Sequence, residues 1–260
     1  MIDQRHNLYD SNPVYRCNLF TIALVYRSEK VENTAMKGQT LMLITDISGY
    51  TRFITRVGHE KGIQHAQDLL QIIINSNTLG LKLCEVEGDA VFFYAMKELP
   101  SRKALMRQIS RTYNAFNHYL STQRLESELG IKFFVHTGIC EEIRIGGRTK
   151  LYGMEVIKIH RLLKSITNMD DYMLITENAG AALQFETGEG VQGGAEFPHI
   201  GVVNYAVFNE RFLQETAIEV SLYHTFINGI IEAANTLTAE LSRQYRHYAA
   251  LLNPLHEMAS

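Results

Sequence analysis

Leu41-Met42-Leu43-Ile44-Thr45-Asp46-Ile47-Ser48-Gly49-Tyr50-Thr51-Arg52-Phe53 is an apolar run that ends on an acid and turns through Ser-Gly. The part LMLITDI predicts a buried strand, and GYTRF opens a helix whose body carries AQDLLQIIINSN at 66–77. An Asp leaving a buried strand at such a turn sits beside the exposed N–H groups of a helix start. That geometry suits a divalent cation bound to a polyphosphate, with the cation on carboxylate oxygen and the phosphate on the helix N-terminus.

Outward from this stretch the pattern continues. LGLKLCEVEGDAVFFYAM, 79–96, is two apolar runs meeting at Glu87-Gly88-Asp89, an antiparallel hairpin with Gly in its turn. A helix follows over 101–125, then a strand from Ile131 that ends at Gly138, a helix over 153–166 and a short strand YMLIT at 172–176. The glycine-rich composition between Thr187 and Gly194 predicts a flexible loop, and VVNYAVF, 202–208, returns to strand. From Glu210 onward Phe212, Ile218, Leu222, Phe226, Ile230, Leu237 and Leu241 fall near helical spacing. Upstream, residues 1–38 are polar apart from Leu19–Tyr26, which reads as one short strand or buried segment.

This order predicts an α+β fold of the ferredoxin-like, split βαβ kind, an antiparallel-rich sheet with helices on one face and a C-terminal helical extension. The expected division is an appendage at 1–38, which could also be sequence upstream of a natural start near Met36, a core domain at 39–209 and helices at 210–260.

Apolar residues make up 46% of the 260 and charged residues 20%, enough to bury a substantial core. A formal charge of −3 lacks the Lys/Arg excess that polymeric nucleic acid or an anionic membrane attracts. Cys17, Cys84 and Cys140 are too few and too scattered for a disulfide framework or a four-ligand zinc site. No run approaches the roughly 20 apolar residues of a membrane span, and the opening MIDQRHNLYD lacks a signal-peptide layout, so a cytoplasmic location is expected.

Asp89, at the tight end of the hairpin, should lie beside the strand that carries Asp46. Two carboxylates converging from adjacent strands form a scaffold for two-metal phosphoryl chemistry. Each acid alone also has a plain role, Asp46 as a helix cap and Asp89 as a turn residue.

DISGYT, EVEGDAVFFY, FFVHTGI and LYGMEVIKIHRLL, in this order, resemble the motifs of class III adenylyl and guanylyl cyclases over about residues 41 to 208. The variant blocks resemble an uncharacterised bacterial branch of that family. The resemblance implies conversion of a nucleoside triphosphate to a 3′,5′-cyclic nucleotide and pyrophosphate, with two Mg²⁺ or Mn²⁺ per site. It also implies a homodimer whose sites lie at the interface. Asp46, Asp89 and the Ile47 carbonyl would hold metal, and the Ser48, Gly49, Tyr50 and Thr51 backbone would meet the triphosphate. Arg161 falls at the family's transition-state Arg, where a guanidinium stabilises charge on the α-phosphate.

The family's transition-state Asn falls on Ile157, which cannot donate a hydrogen bond; Lys158 and His160 are candidate substitutes. The base-selecting positions fall on Glu85 and Lys150. Glu85 accepts from the guanine Watson–Crick edge, although the two could instead pair with one another or select another base, a pyrimidine included. His199 is the nearest cationic candidate for the family's triphosphate Lys. His136 reads as a satisfied core histidine. The alternative to an enzyme is a degenerate domain that senses nucleotide and metal without turnover.

Overall fold

The computed structural model describes residues 36–165, 170–186, 188–218, 229–232 and 234–243, so the expected strand at Leu19–Tyr26 lies outside the described residues. One open sheet forms from β1 (Met36–Ser48), β2 (Lys82–Glu87), β3 (Ala90–Met96), β4 (Gly130–Ile145), β5 (Arg148–Tyr152), β6 (Tyr172–Thr176), β7 (Val191–Phe197) and β8 (Gly201–Asn209). The strand order is β2-β3-β1-β4-β6-β8-β7, with β5 paired to β4, and only β4 and β6 run parallel. The helices are α1 (Tyr50–Val57), α2 (His59–Asn75), α3 (Arg102–Gln123), α4 (Met154–Ser165) and α5 (Glu177–Ala182). The class is α+β, as expected.

β1 reads as a continuous apolar run because both of its faces are covered. Leu41, Leu43 and Ile47 join Phe53 of α1, Leu69 and Ile73 of α2, and Leu105, Ile109 and Phe116 of α3 in one cluster. Met42 and Ile44 join Phe134, Ile159 and Leu162 in a second, under α4. Thus most helices share one face, as the sequence predicts, while α4 covers the other. Each fully buried Leu, Ile or Phe contributes roughly 1.5–3 kcal/mol.

The stretch read as one helix from Gly49 is two. Gly58 sits between them at φ 89°, a conformation that interrupts the helical ladder. α3 starts on Ser101, whose Oγ accepts the Ala104 N–H, and stops at Arg124 in the left-handed region.

Three expectations are corrected. Met36, Lys37 and Gly38, read as appendage, belong to β1 and pair with Glu142, Glu141 and Cys140. The strand expected to end at Gly138 continues to Ile145 and folds back through Gly146-Gly147 into β5. Val191–Gly194, read as flexible loop, is part of β7. Its glycines are covered: a Cβ on Gly193 would lie 2.6 Å from the ring of Tyr205, its partner on β8. The approach to β7 is tied down by Arg102, which grips both Glu189 carboxylate oxygens and stacks on Phe185.

Residues 210–218 are helical, and Leu213 and Ala217 are buried in the first cluster. Residues 229–232 and 234–243 are also helical, with Ile230, Leu237 and Leu241 exposed. At the sheet margin, β2 shifts register against β3 between Leu83 and Glu85, a bulge at Cys84.

Candidate active site

Asp46 lies two residues before the end of β1, opposite Ala90 of β3 and Lys132 of β4. Asp89 closes the β2–β3 turn, and its carbonyl accepts the Ile47 N–H at 3.1 Å. The two expected carboxylates therefore meet in one cleft of about 350 Å³, lined also by Glu85, Phe92, His160 and Lys164. Burial, with the charge of Asp89 beside it, pushes the Asp46 carboxyl up to about 7, against the opposing pull of Lys132. Asp89 is raised as well, chiefly by burial, with a backbone N–H and Lys132 opposing. Two partly buried acids, both raised by burial and one of them also by the charge of the other, are a donor set that a divalent cation fits, because the cation offsets burial and repulsion together. Among the described residues no three His, Cys, Asp or Glu side chains group to hold a metal, so the remaining coordination would come from backbone, water or a ligand's phosphate oxygens.

Lys132 is the residue the sequence reading missed. It is 9% exposed, with Nζ 3.9 Å from Asp46 Oδ2 and 5.9 Å from the Tyr172 ring centre. The available signal was a lysine inside the apolar run IKFFV, where a buried charge requires a partner.

The turn after Asp46 is tightly specified. Gly49 has φ 79°, and a Cβ there would lie 2.5 Å from the Glu128 carbonyl, so only glycine fits. Its carbonyl accepts Phe53 N–H at 2.9 Å, which opens α1 with the first-turn amides of Tyr50, Thr51 and Arg52 toward the turn. Tyr50 stands near Asp89, since burial and that charge raise its phenol. Ile47 buries its side chain in the core. Ser48 is buried and its Oγ donates to Asp170 Oδ1 at 3.0 Å, so the hydroxyl is already engaged.

Glu85 and Lys150 form an ion pair across β2 and β5, and the Glu85 hydrogen bond raises Lys150. The second Glu85 oxygen lies 4.0 Å from His160 Nε2, and His160 packs edge-on against Phe92. Lys158 is held instead by Glu155 at 2.8 Å. Glu155 also takes His136 Nε2 at 2.7 Å, while His136 Nδ1 meets Thr176 Oγ1 at 2.7 Å, so this histidine is a satisfied core residue. Burial alone would raise Glu155, but its bonds to Lys158 and His136 hold it low; His136 is lowered by burial against the pull of Glu155. Arg161 and Ile157 are exposed and line a neighbouring hollow with Val156 and Phe197, which His160 and Lys164 share with the Asp46 cleft. One chain therefore does not bring Arg161 into the cleft of the acids. His199 sits at positive φ in the exposed β7–β8 turn, away from that cleft.

A family profile described as a protein of unknown function (DUF2652) matches residues 66–172, a range that holds Asp89, Lys132 and Arg161 but not Asp46. An uncharacterised protein of Mycobacterium tuberculosis is 33% identical over 119 residues, which cover 42% of this chain and 56% of that protein. The chain thus spans little more than half the length of this curated relative. The crystal structure of the adenylyl cyclase CyaB from P. aeruginosa is similar at a TM-score of 0.51 and 16% identity, covering 68% of this chain and 97% of that one. The guanylyl cyclase Cya2 is similar at 0.50 and 15% identity, covering 67% and 94%. The fold is that of nucleotidyl cyclase domains.

Proposed function

We propose that this chain is a nucleotidyl cyclase-type domain that binds a nucleoside triphosphate with Mg²⁺ or Mn²⁺ and converts it to a 3′,5′-cyclic nucleotide and pyrophosphate. The observation that carries the reading is the meeting of Asp46 and Asp89 beside Lys132, at the turn into α1. Divalent cations held by Asp46, Asp89 and the Ile47 carbonyl would supply activation of the 3′-hydroxyl and neutralisation of the triphosphate. The first-turn amides of α1 and the Lys132 ammonium face the same anionic group. Arg161 would come from a second copy, which places each site between two chains. The exposed Ile139, Tyr152, Met154 and Ile157, on β4, β5 and α4, supply apolar surface for that contact. Glu85 and Lys150 present an acceptor and a donor side by side, which matches N1–H and O6 of guanine.

A second reading, a sensor that holds the nucleotide without turnover, is favoured by one observation. Ile157 carries no donor, and Lys158, a candidate substitute, is already bound to Glu155.

The test incubates the protein with Mn²⁺ and each of ATP, GTP, CTP and UTP, and detects cyclic nucleotide by mass spectrometry. A product, with GTP preferred, is expected from the wild type and not from Asp46→Ala. Metal-dependent binding with no product would favour the sensor, and no binding of any triphosphate would overturn both. Ile157→Asn is expected to raise turnover by about 100-fold, the usual worth of one preorganised donor.

A further inference from the structure

β1 ends and β4 begins at the rung Ser48–Gly130, and the chain that leads into β6 packs against it. Ser48 Oγ donates to Asp170 Oδ1 at 3.0 Å across 122 positions of sequence. The next residue, Asp171, accepts the Ile131 N–H at 2.9 Å. The fit leaves no spare space: a Cβ on Gly130 would lie 2.9 Å from both the Asp170 carbonyl and the Asp171 carboxylate. These contacts hold the far side of a turn whose near side carries Asp46, the Ile47 carbonyl and the opening amides of α1.

From this geometry we infer that Asp170 is a positioning residue, which through the Ser48 hydroxyl fixes the phosphate-facing turn in register with Asp46 and Asp89. The inference rests on the nucleotide-binding reading above. Ser48 then serves that reading through its backbone, with its side chain turned inward as the anchor. Asp170 itself touches neither metal nor nucleotide. Its carboxylate oxygen is needed only as an acceptor, so asparagine can take its place.

The test measures Kd for Mn²⁺ with a non-cyclisable GTP analogue, together with Tm, for full-length wild type, Asp170→Ala, Asp170→Asn, Ser48→Ala and the double alanine variant. Asp170→Ala and Ser48→Ala are each expected to weaken binding about tenfold, within the range that misplacement of binding groups produces. The double variant should be no worse than either single one, and Asp170→Asn should stay within about twofold of wild type. Loss of binding only in proportion to a lowered Tm, equal loss with Asp170→Asn, or additive effects in the double variant would overturn the inference. If the wild type binds and Asp170→Ala binds equally well, the positioning role alone fails. If the wild type does not bind, the nucleotide reading fails with it.

Discussion

Asp46→Ala is expected to lower metal-dependent nucleotide binding by more than about 100-fold, because it removes one of the two carboxylates proposed to hold the metal. The same residue gives the site a pH signature. Its carboxyl is raised from the ordinary 3.8 to about 7 by burial and by Asp89. Between those values the folded protein holds a proton that the unfolded chain has released, so metal-free stability falls as pH rises through the window. At about 1.4 kcal/mol per pH unit, the loss is at most about 4 kcal/mol and is complete above the folded value. With chelator present, the Tm of the wild type should therefore drop from pH 5 to pH 8, whereas Asp46→Asn should be flatter and more stable than wild type at pH 8. Divalent metal should reverse the order, and its affinity should fall as pH drops below about 7, where Asp46 is protonated. An Asp46→Asn profile parallel to wild type would show that these two acids do not compete.

Lys132→Met should separate two roles that a general loss of folding would not. The side chain keeps its length, so packing against Tyr172 survives, but the positive charge beside Asp46 is gone. Without that ammonium the opposing pull on Asp46 is lost and its carboxyl rises further. In chelator at pH 8 the variant should therefore melt below wild type, whereas at pH 5, where Asp46 is protonated in both, the two should lie close together. Metal removes the imbalance, since a divalent cation no longer meets a neighbouring ammonium. Mn²⁺ alone should bind as well as or better than in wild type, while the metal–nucleotide complex should bind at least tenfold more weakly, a neutral side chain having replaced the cation proposed to meet the phosphates. Calorimetric titrations of Mn²⁺ with and without nucleotide read both effects. Equal weakening of the two would place Lys132 in the scaffold only.

Much of this was legible from local signals. The run to Asp46 and the Gly88-Asp89 turn announce themselves because each sets an acid at a turn beside an apolar strand, and the β2–β3 hairpin returns β3 alongside β1. Lys132 shows only as a lysine inside the run IKFFV; that its partner is Asp46, on a strand more than 80 residues away, is a matter of register and was not legible. The β4–β5 hairpin was hidden by Gly138, which reads as a stop but continues as strand under Glu155. β7 was hidden by Gly193 and Gly194, whose weak strand tendency is offset by the Tyr205 ring laid across Gly193 and by Asn204 and Val202 beside Gly194. The Glu85–Lys150 pair is one of three outcomes that the sequence leaves open, and the fold forms it by placing β5 beside β2.

The bulge in β2 bears on how this protein behaves in concentrated solution. An open sheet exposes unpaired backbone groups along its outermost strands, and such margins recruit other chains into growing aggregates. Here that margin is six residues long, shifts register at Cys84 and carries Lys82, Glu85 and Glu87. Irregular spacing and charged side chains deny an incoming strand a straight template, so self-association by strand addition is disfavoured on this side of the molecule.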